Sequence, residues 1–429
     1  MSLTPLAAHA DSGTTLYVKP GATCSDSGTG TAATPYCTIQ AAANAAVAGD
    51  TVSVAPGTYT AETDITTSGT SSAPIKFVTG AFGGYSSSAV IDNASINYGF
   101  DVSGASYVTI QGFTVDSTAT NPILVSDSNY VTVDSTTVYG GKQSNNPAAI
   151  LVYGASASDN TISRNVVRGY RNNYGIYVDS GGTGNVVTTN LVTGAVSNGI
   201  MNDGSADATI VSNTVVGYCG IGMESGGNEF GAGLNATIEN NVVSGESCAD
   251  SVALTWGENA DAAVADYNIV HATDSGTFPY EVNGTTYTTS AALNTATGQA
   301  AHDLNSDPGI SATGTITSAT SPLIDSANSS APGELSTDLV GNARVDDPLV
   351  ANTGVGTYAY YDRGAYEYQD PIAIPDYVIK DVSTLTVGYE AGVLNTSWGS
   401  TTVKYDFGDG SAPVTAAAGV MVNHTFPKP

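Results

Sequence analysis

Apolar residues recur in short alternating runs through the middle of the chain. The runs are "VTIQGFTV", "VTVDSTTVYG", "NTISRNVVRG", "NVVTTNLVTG", "ATIVSNTVVG", "ATIENNVVSG" and "AAVADYNIVH". Their first anchors, Ile110, Val133, Ile162, Val187, Ile210, Ile238 and Val264, follow one another at 23 to 29 residues. A second apolar run returns between them: "ILV" at Ile123 and Ile150, "GIYV" at Gly175, "GIMN" at Gly199 and "GIGM" at Gly220. Alternation within each run predicts half-buried strands, and Gly, Asn and Ser clusters predict the turns. Each unit therefore holds about three short strands.

A repeat of this length signals a repeat architecture. No unit contains a helical pattern, and the uneven period argues against a closed propeller. A solenoid tolerates insertions, because each unit touches only its neighbours. The pattern predicts an all-β parallel β-helix, with inward Val and Ile stacking on the coil below at about 4.8 Å. Asn165, Asn190, Asn213 and Asn241 recur at one turn, where stacked amides can hydrogen-bond up the ladder. One stretch, "CTIQAAANAAVAGD", reads as a short helix with Ile39, Ala42, Ala43, Ala46 and Val47 on one face. It is expected to lid the N-terminal end of the solenoid.

Composition and charge narrow the function. The 429 residues are 41% hydrophobic and carry a net charge of −28, with 11 Lys plus Arg against 39 Asp plus Glu. A field of that sign repels nucleic acid and anionic membranes. No run of apolar residues reaches spanning length. An acidic polysaccharide remains compatible if a local positive patch receives it. Ala8-His9-Ala10 has the small-x-small form of a signal-peptidase site, so residues 1–14 read as a signal remnant and arm. Secretion is expected, and with it oxidation of close cysteine pairs. Cys24 and Cys37 enclose a Gly/Ser/Thr loop, and Cys219 and Cys248 fall at matching repeat positions. Free buried thiols are the alternative.

Two resemblances follow from longer stretches. "LYVKPGATC…PYCTIQAAANAAVAGDTVSVAPGTY", with "SPLIDSAN" and "DRGAYEY" near the far end, resembles secreted right-handed parallel β-helix proteins of the pectate-lyase-like superfamily. The resemblance implies a right-handed β-helix over residues 15–370. It leaves activity open, since that superfamily holds lyases, glycoside hydrolases, epimerases and non-catalytic surface proteins. After a Pro-rich linker at 371–378, "VKYDFGDGSAPV…VNHTF" resembles a PKD domain, which implies a partial immunoglobulin-like sandwich over 379–429.

Repeat register also suggests chemistry. Lys142 and Arg171 each lie two residues past a strand-closing Gly, so they are expected to be neighbours on adjacent coils. Cys219 and Cys248 should be close enough to bridge by the same logic. Aligning "GIYVD", "GIMND" and "GIGME" places Asp179, Asp203 and Glu224 in one outward column. Three stacked carboxylates call for compensation: a bound Ca²⁺, a nearby Arg168 or Arg171, or a proton retained for catalysis.

Two mechanisms fit such a face. In β-elimination, Ca²⁺ neutralises a uronate carboxylate and Lys142 or Arg171 takes the C5 proton, Lys being the easier base. Superfamily lyases resemble this. In hydrolysis, two of the carboxylates serve as acid and partner. Tyr170, Tyr177 and Tyr218 could stack on sugar rings, and Trp256 lies near the same face, though a packed Trp fits as well. Solvated surface charge is the plain alternative for all these ions. The reading is a secreted, monomeric polysaccharide-active enzyme, a lyase ahead of a hydrolase, with no organic cofactor. The rival is a non-catalytic extracellular glycan-binding or adhesion protein.

Overall fold

The computed structural model describes residues 13–84, 86–116, 118, 120–139, 148–168, 174–179, 182–194, 197–226, 235–245, 248, 251–257, 264–272, 276–369, 375–381, 386–391, 402–417 and 420–427. Three parallel sheets wrap around one apolar interior. Sheet I runs through ten strands from Thr15–Val18 to Val264–Asp266, and sheet II through nine from Gly57–Tyr59 to Ile269–His271. Sheet III begins at Thr63–Ile65 and closes with the antiparallel pair Phe278–Val282 and Thr285–Tyr287. The chain visits sheets I, II and III in turn and then returns to I one rung higher.

The predicted anchors form the inward column of sheet I. Ile110, Val133, Ile162, Val187, Ile210 and Ile238 are successive register partners, all buried. The last predicted anchor is one residue off: Ile238 pairs with Ala265, and Val264 points outward, 49% exposed. The turn sets that phase. Ser135, Arg164, Thr189, Ser212, Asn240 and Tyr267 take left-handed φ between 51° and 58° at the corner of sheets I and II. The inward residue always lies two positions before this corner residue, and "ADYNIV" counts back to Ala265.

Left-handed backbone at a side-chain-bearing residue costs about 1–2 kcal/mol. The next residue offsets it. Asn165, Asn190, Asn213, Asn241 and also Asn268 turn their amides inward and are fully buried. Asn190 Oδ1 accepts from Asn165 N at 2.9 Å and from its Nδ2 at 3.0 Å, while Asn190 Nδ2 donates to Ile162 O at 2.8 Å. The same bonds repeat from Asn190 to Asn213, Asn241 and Asn268. Every corner thus satisfies its buried polar groups.

The helix Ile39–Ala45 packs on the first strands of sheets I and III, burying Ile39, Ala42 and Ala43. Val47, predicted on that face, lies beyond the helix end and is 60% exposed. Both disulfides form, Cys24–Cys37 and Cys219–Cys248, with Cα atoms 4.9 and 5.0 Å apart. Among the described residues no helix is long and apolar enough to cross a membrane.

The stretch read as solenoid up to residue 370 has two unlike parts. Coils end at the hairpin strand Thr285–Tyr287, followed by the helix Ser290–Thr297. From residue 300 to 369 the chain is a strap that runs back along the corner of sheets I and II. Its "DRGAYEY" segment steps down the solenoid. Arg363 donates to Asn268 O (3.2 Å) and His302 O (3.0 Å), Gly364 N to Asn240 O (2.7 Å), and Ala365 N to Thr214 Oγ1 (2.9 Å). Gly364 is required there: a Cβ would lie 2.7 Å from Thr214 Oγ1, and its φ is 88°. Buried Arg344 pairs with Glu334 at 2.9 Å and Glu367 at 3.2 Å, tying the strap to itself. Farther back, Leu339, Ala365 and Tyr366 cover Leu191 and Val166.

Beyond the strap lie two small antiparallel sheets. One joins Pro375–Asp381, Thr386–Ala391 and Val422–Thr425, and the other Thr402–Tyr405 and Val414–Ala417. The first strand begins inside the segment expected as a linker. His424 Nε2 lies 2.7 Å from Asp409 Oδ2 and its ring stacks on Phe407 at 3.9 Å, so the "DFGDG" and "HTF" stretches hold each other.

Candidate functional site

The strap covers parts of sheets I and II, and among the described residues none of its hydrogen bonds reaches the outward face of sheet III. That face is where alternation points Tyr177 and Asp179 outward, between inward Ile176 and Val178. Asp179 pairs in register with Asp203 on the next strand, and Tyr153 pairs with Asp179 on the previous one. The two carboxylates therefore sit one rung apart, about 4.8 Å by strand spacing.

Glu224 does not join them. It pairs with Met201, at the level of Tyr177, two positions short of Asp203. The cause is a column of small residues. A Cβ on Gly175 would fall 2.6 Å from Gly199 O, and one on Gly199 would fall 2.3 Å from Gly222 O. Gly222, rather than Gly220, must stack on Gly199, so "GIMND" matches "GMESG". The expected three-acid column is a pair plus an offset neighbour. The signal was present: "GIGME" contains two glycines, and only the second preserves the close backbone contact.

The pair has an uneven environment. Asp203 is 9% exposed; its Oδ2 accepts from Tyr177 Oη at 3.1 Å, and its Oδ1 is buried with no hydrogen-bond partner among the described residues. Tyr177 stacks on Tyr174, ring centroids 4.3 Å apart. Burial, then the Asp179 and Asp203 charges, push the Tyr177 phenol far above its ordinary range. It stays a proton donor under all physiological conditions. Tyr153, 48% exposed, adds a third ring beside the pair.

Other predicted members lie elsewhere. Tyr218 is fully buried in the solenoid interior and Trp256 is 4% exposed in the same core, so neither offers a face to a sugar. Trp256 points inward from its strand, in register with Ser225 and Val282, while Tyr218 enters the core from the turn between Thr214–Val216 and Ile221–Ser225. Arg168 belongs to sheet II, between Tyr139 and Thr193, and its charge offsets part of the upward push that burial gives Tyr366 on the strap. Arg164, beside it in sequence, grips Asp134 with Nε at 2.8 Å and Nη2 at 3.0 Å. Burial pushes Asp134 up, but Arg164, Ser163 and Gln111 outweigh it and hold the carboxyl below its ordinary value. Lys142, Tyr170 and Arg171 lie outside the described residues; in sequence they precede the strands Ala148–Tyr153 and Tyr174–Asp179.

A second acid group, not foreseen, lies toward the N-terminal end of sheet III. Asp64 and Asp101 are register partners, and with Glu62 they bring carboxylate oxygens within 4.8 Å of one another. Burial raises the Glu62 carboxyl, with Asp64 and Asp101 adding to it against a hydrogen bond from Asn97 N. The residues are dispersed in sequence, and the 37-residue step from Asp64 to Asp101 falls outside the 23-to-29-residue repeat, so periodicity does not align them.

A family model described as the Pel9A-like right-handed β-helix region matches residues 16–187, under half of the chain. No curated protein matches the sequence. Among solved structures, a lacto-N-biosidase of family GH136 from Eubacterium ramulus superposes with TM-score 0.48 at 10% identity, covering 63% of this chain and 58% of that one. A rhamnogalacturonan lyase gives 0.47 at 17% identity, covering 63% and 84%. Pectate lyase Pel9A gives 0.41 at 16%, covering 83% and 96%. The chain thus spans little more than half of the first of these, and similarity at this level does not carry an activity across. What the match and the three sheets establish is a right-handed parallel β-helix.

Proposed function

We propose that the protein is a secreted polysaccharide-active enzyme that holds an acidic sugar chain across the outward face of sheet III and cleaves it by β-elimination. The observation that carries this reading is the Asp179–Asp203 pair, with Asp203 Oδ1 buried and without a partner among the described residues, set among Tyr153, Tyr174 and Tyr177. Two disulfides and the absence of a spanning helix among the described residues fit an extracellular site of action.

Paired carboxylates one rung apart repel, and a buried carboxylate oxygen with no donor is costly. Both facts suit a hard cation, and Ca²⁺ takes several carboxylate oxygens. Asp179 and Asp203 are the residues to hold it; Glu224, displaced by two positions, is left to face the sugar. Bound there, the ion would neutralise the uronate carboxylate and so acidify the C5 proton. Tyr177 holds Asp203 in place by its hydrogen bond and keeps its own proton. The tyrosine rings offer flat faces to the sugar. Lys142 or Arg171 is assigned the proton abstraction, Lys being the easier to deprotonate. The electron pair left at C5 then forms the C4–C5 double bond as the bond from C4 to the glycosidic oxygen breaks, and that oxygen takes up a proton from solvent to leave as the hydroxyl of the departing chain.

Hydrolysis is the second reading, favoured by one observation: a one-rung separation of about 4.8 Å is close to that of retaining glycosidases, about 5–5.5 Å. Incubation with a panel of uronate and neutral polysaccharides, with Ca²⁺ and with chelator, separates the readings. Ultraviolet absorbance from a conjugated uronate supports elimination. New reducing ends without that absorbance support hydrolysis. Retention on a glycan gel with no product identifies a binding protein and overturns the catalytic reading.

A further inference from the structure

A concavity of about 410 Å³ lies at the N-terminal end of sheet I, away from the paired acids. Tyr17, Lys19, Ala32, Pro35, Ala55 and Pro56 line it. Five of the six are apolar or aromatic, and the sixth is a cation. Lys19 is exposed, and no carboxylate among the described residues lies within ion-pairing distance of it. Lys76 and Lys404 likewise make no ion pair among the described residues, so what sets Lys19 apart is its place on a concavity whose other walls are apolar or aromatic. Arg164, Arg344 and Arg363, by contrast, are taken up by Asp134, by Glu334 and Glu367, and by three backbone carbonyls.

The walls are held in place. Cys24–Cys37 closes the loop that supplies Ala32 and Pro35. Asp26 fastens the loop's end, accepting from Cys37 N at 2.7 Å, Thr38 N at 3.0 Å and Thr38 Oγ1 at 3.1 Å. Backbone bonds join it to the strand below: Tyr36 N to Tyr17 O at 2.8 Å, Lys19 N to Tyr36 O at 2.9 Å, and Tyr17 N to Gly30 O at 2.7 Å. A site already fixed in shape loses little freedom on binding.

We infer that this concavity is an accessory site for a carboxylated sugar residue, with the Lys19 ammonium on the carboxylate and Tyr17, Pro35 and Pro56 against the C–H face of the ring. The choice of a uronate rests on the acidic-polysaccharide reading above; the cation and the ring-sized apolar walls rest on the structure alone. An aromatic face suits a sugar's C–H surface, and a charge-assisted bond suits its carboxylate. The cleft would hold a polymer at a point separate from where it is cut.

The test is titration calorimetry of the full chain with trigalacturonate, its methyl ester and inorganic sulfate, with amide NMR shifts at Tyr17 and Ala32 reporting location. Trigalacturonate is expected to bind and to shift those amides, more weakly as salt rises. Lys19→Met should weaken binding by about tenfold or more, the scale of one charge-assisted bond, and Lys19→Arg should restore most of it. Unchanged affinity in Lys19→Met, equal binding of the ester, binding of sulfate alone, or no binding by the wild type overturns the proposal. A protein that cleaves nothing yet binds through Lys19 loses the catalytic reading and keeps this one. A protein that cleaves but is indifferent to Lys19 does the reverse.

Discussion

Asn268 and Asp303 meet at the end of the amide ladder: Asp303 Oδ1 accepts from Asn268 N at 2.7 Å and from Asn268 Nδ2 at 3.4 Å. The carboxylate takes the place that the next asparagine would occupy. Its other oxygen accepts from Tyr280 Oη at 3.2 Å, so the strap's first residues finish the solenoid's buried polar column. An exposed solenoid end leaves core and backbone unpaired. Here a side chain from outside the repeat closes it.

That closure should make stability depend on pH. Asp303 is fully buried; burial pushes its carboxyl up to about 7 from 3.8, with Asp266 adding to the push and Asn268 N and Arg363 opposing it. The folded state therefore binds more protons than the unfolded one between those values. Its stabilising contribution is complete below pH 3.8 and is lost as pH rises through about 7. The loss is at most about 4 kcal/mol at 1.36 kcal/mol per pKa unit. Chemical denaturation from pH 5 to 8 should show falling stability. Asp303→Asn, which continues the ladder with an uncharged amide, should reduce that slope, the rest coming from Asp325 and Glu367, which burial also pushes up to about 7, and should be the more stable protein at pH 8. A variant with the wild-type slope would remove Asp303 as the cause.

The ladder itself should be energetically expensive to interrupt. Asn213 Nδ2 donates to Val187 O at 2.8 Å and Val211 O at 3.1 Å, and its Oδ1 accepts from Asn190 N at 3.0 Å. Asn213→Ala leaves these buried groups without partners, at about 1–3 kcal/mol for each unsatisfied group. Thr132→Ala, on the outward face of sheet I, should stay within about 0.5 kcal/mol. Urea unfolding of the two variants gives the comparison directly.

Much of this fold was legible because one coil repeats the hydrogen bonds of the next. The anchors Ile110 to Ile238, the asparagine column and the Cys219–Cys248 bridge all follow from periodicity, and the coordinates place them in register. Misreadings arose where periodicity alone did not set the phase. Val264 was one residue off because Tyr267 takes the corner conformation that Asn240 takes in the previous coil. Glu224 was two residues off because the governing contact is backbone against Gly222 O, which apolar pattern does not reveal. The strap escaped notice altogether: residues 300–369 contain no long strand, and partners such as Asn240 for Asn328, 88 positions away, and Thr188 for Gly333, 145 positions away, lie several coils back. Arg168 was expected beside the stacked acids, yet it lies on sheet II near Tyr366, and its sequence neighbour Arg164 binds Asp134 and Thr337 of the strap.

The strap should come loose when Arg363 is lost. Its guanidinium donates to Ser326 O at 2.9 Å, Asn268 O at 3.2 Å and His302 O at 3.0 Å, and lies 5.5 Å from the Tyr267 ring centre. Burial lowers its pKa to about 10, with Asp303 and Asp266 opposing, so it remains charged at neutral pH. Arg363→Met orphans three carbonyls at once. Limited proteolysis should then cut within residues 300–369 while the far-ultraviolet signal of the coils persists. Lys should rescue poorly, because a single ammonium cannot reproduce the planar fork. Resistance equal to wild type in the Met variant would show that the rest of the strap holds without it.

The paired acids give the sharpest division between readings of the site. If the pair acts on substrate, Asp203→Asn and Asp179→Asn should each lower turnover by about a hundredfold or more, the scale of losing a positioned catalytic group. Glu224→Gln, displaced from their column, should cost less in turnover and more in KM if it only faces the sugar. Tyr177→Phe removes the bond to Asp203 Oδ2 but leaves the ring stacked on Tyr174, so sugar stacking survives while the carboxylate loses its anchor. Its effect should fall on kcat. Raising Ca²⁺ should partly restore Tyr177→Phe, because a cation can hold Asp203 in the phenol's stead, and should not restore Asp203→Asn, which has lost a charged donor. Steady-state rates across a Ca²⁺ series measure this. Full activity in both Asp variants would move the chemistry off this pair; equal Ca²⁺ dependence in every variant would remove the ion from it.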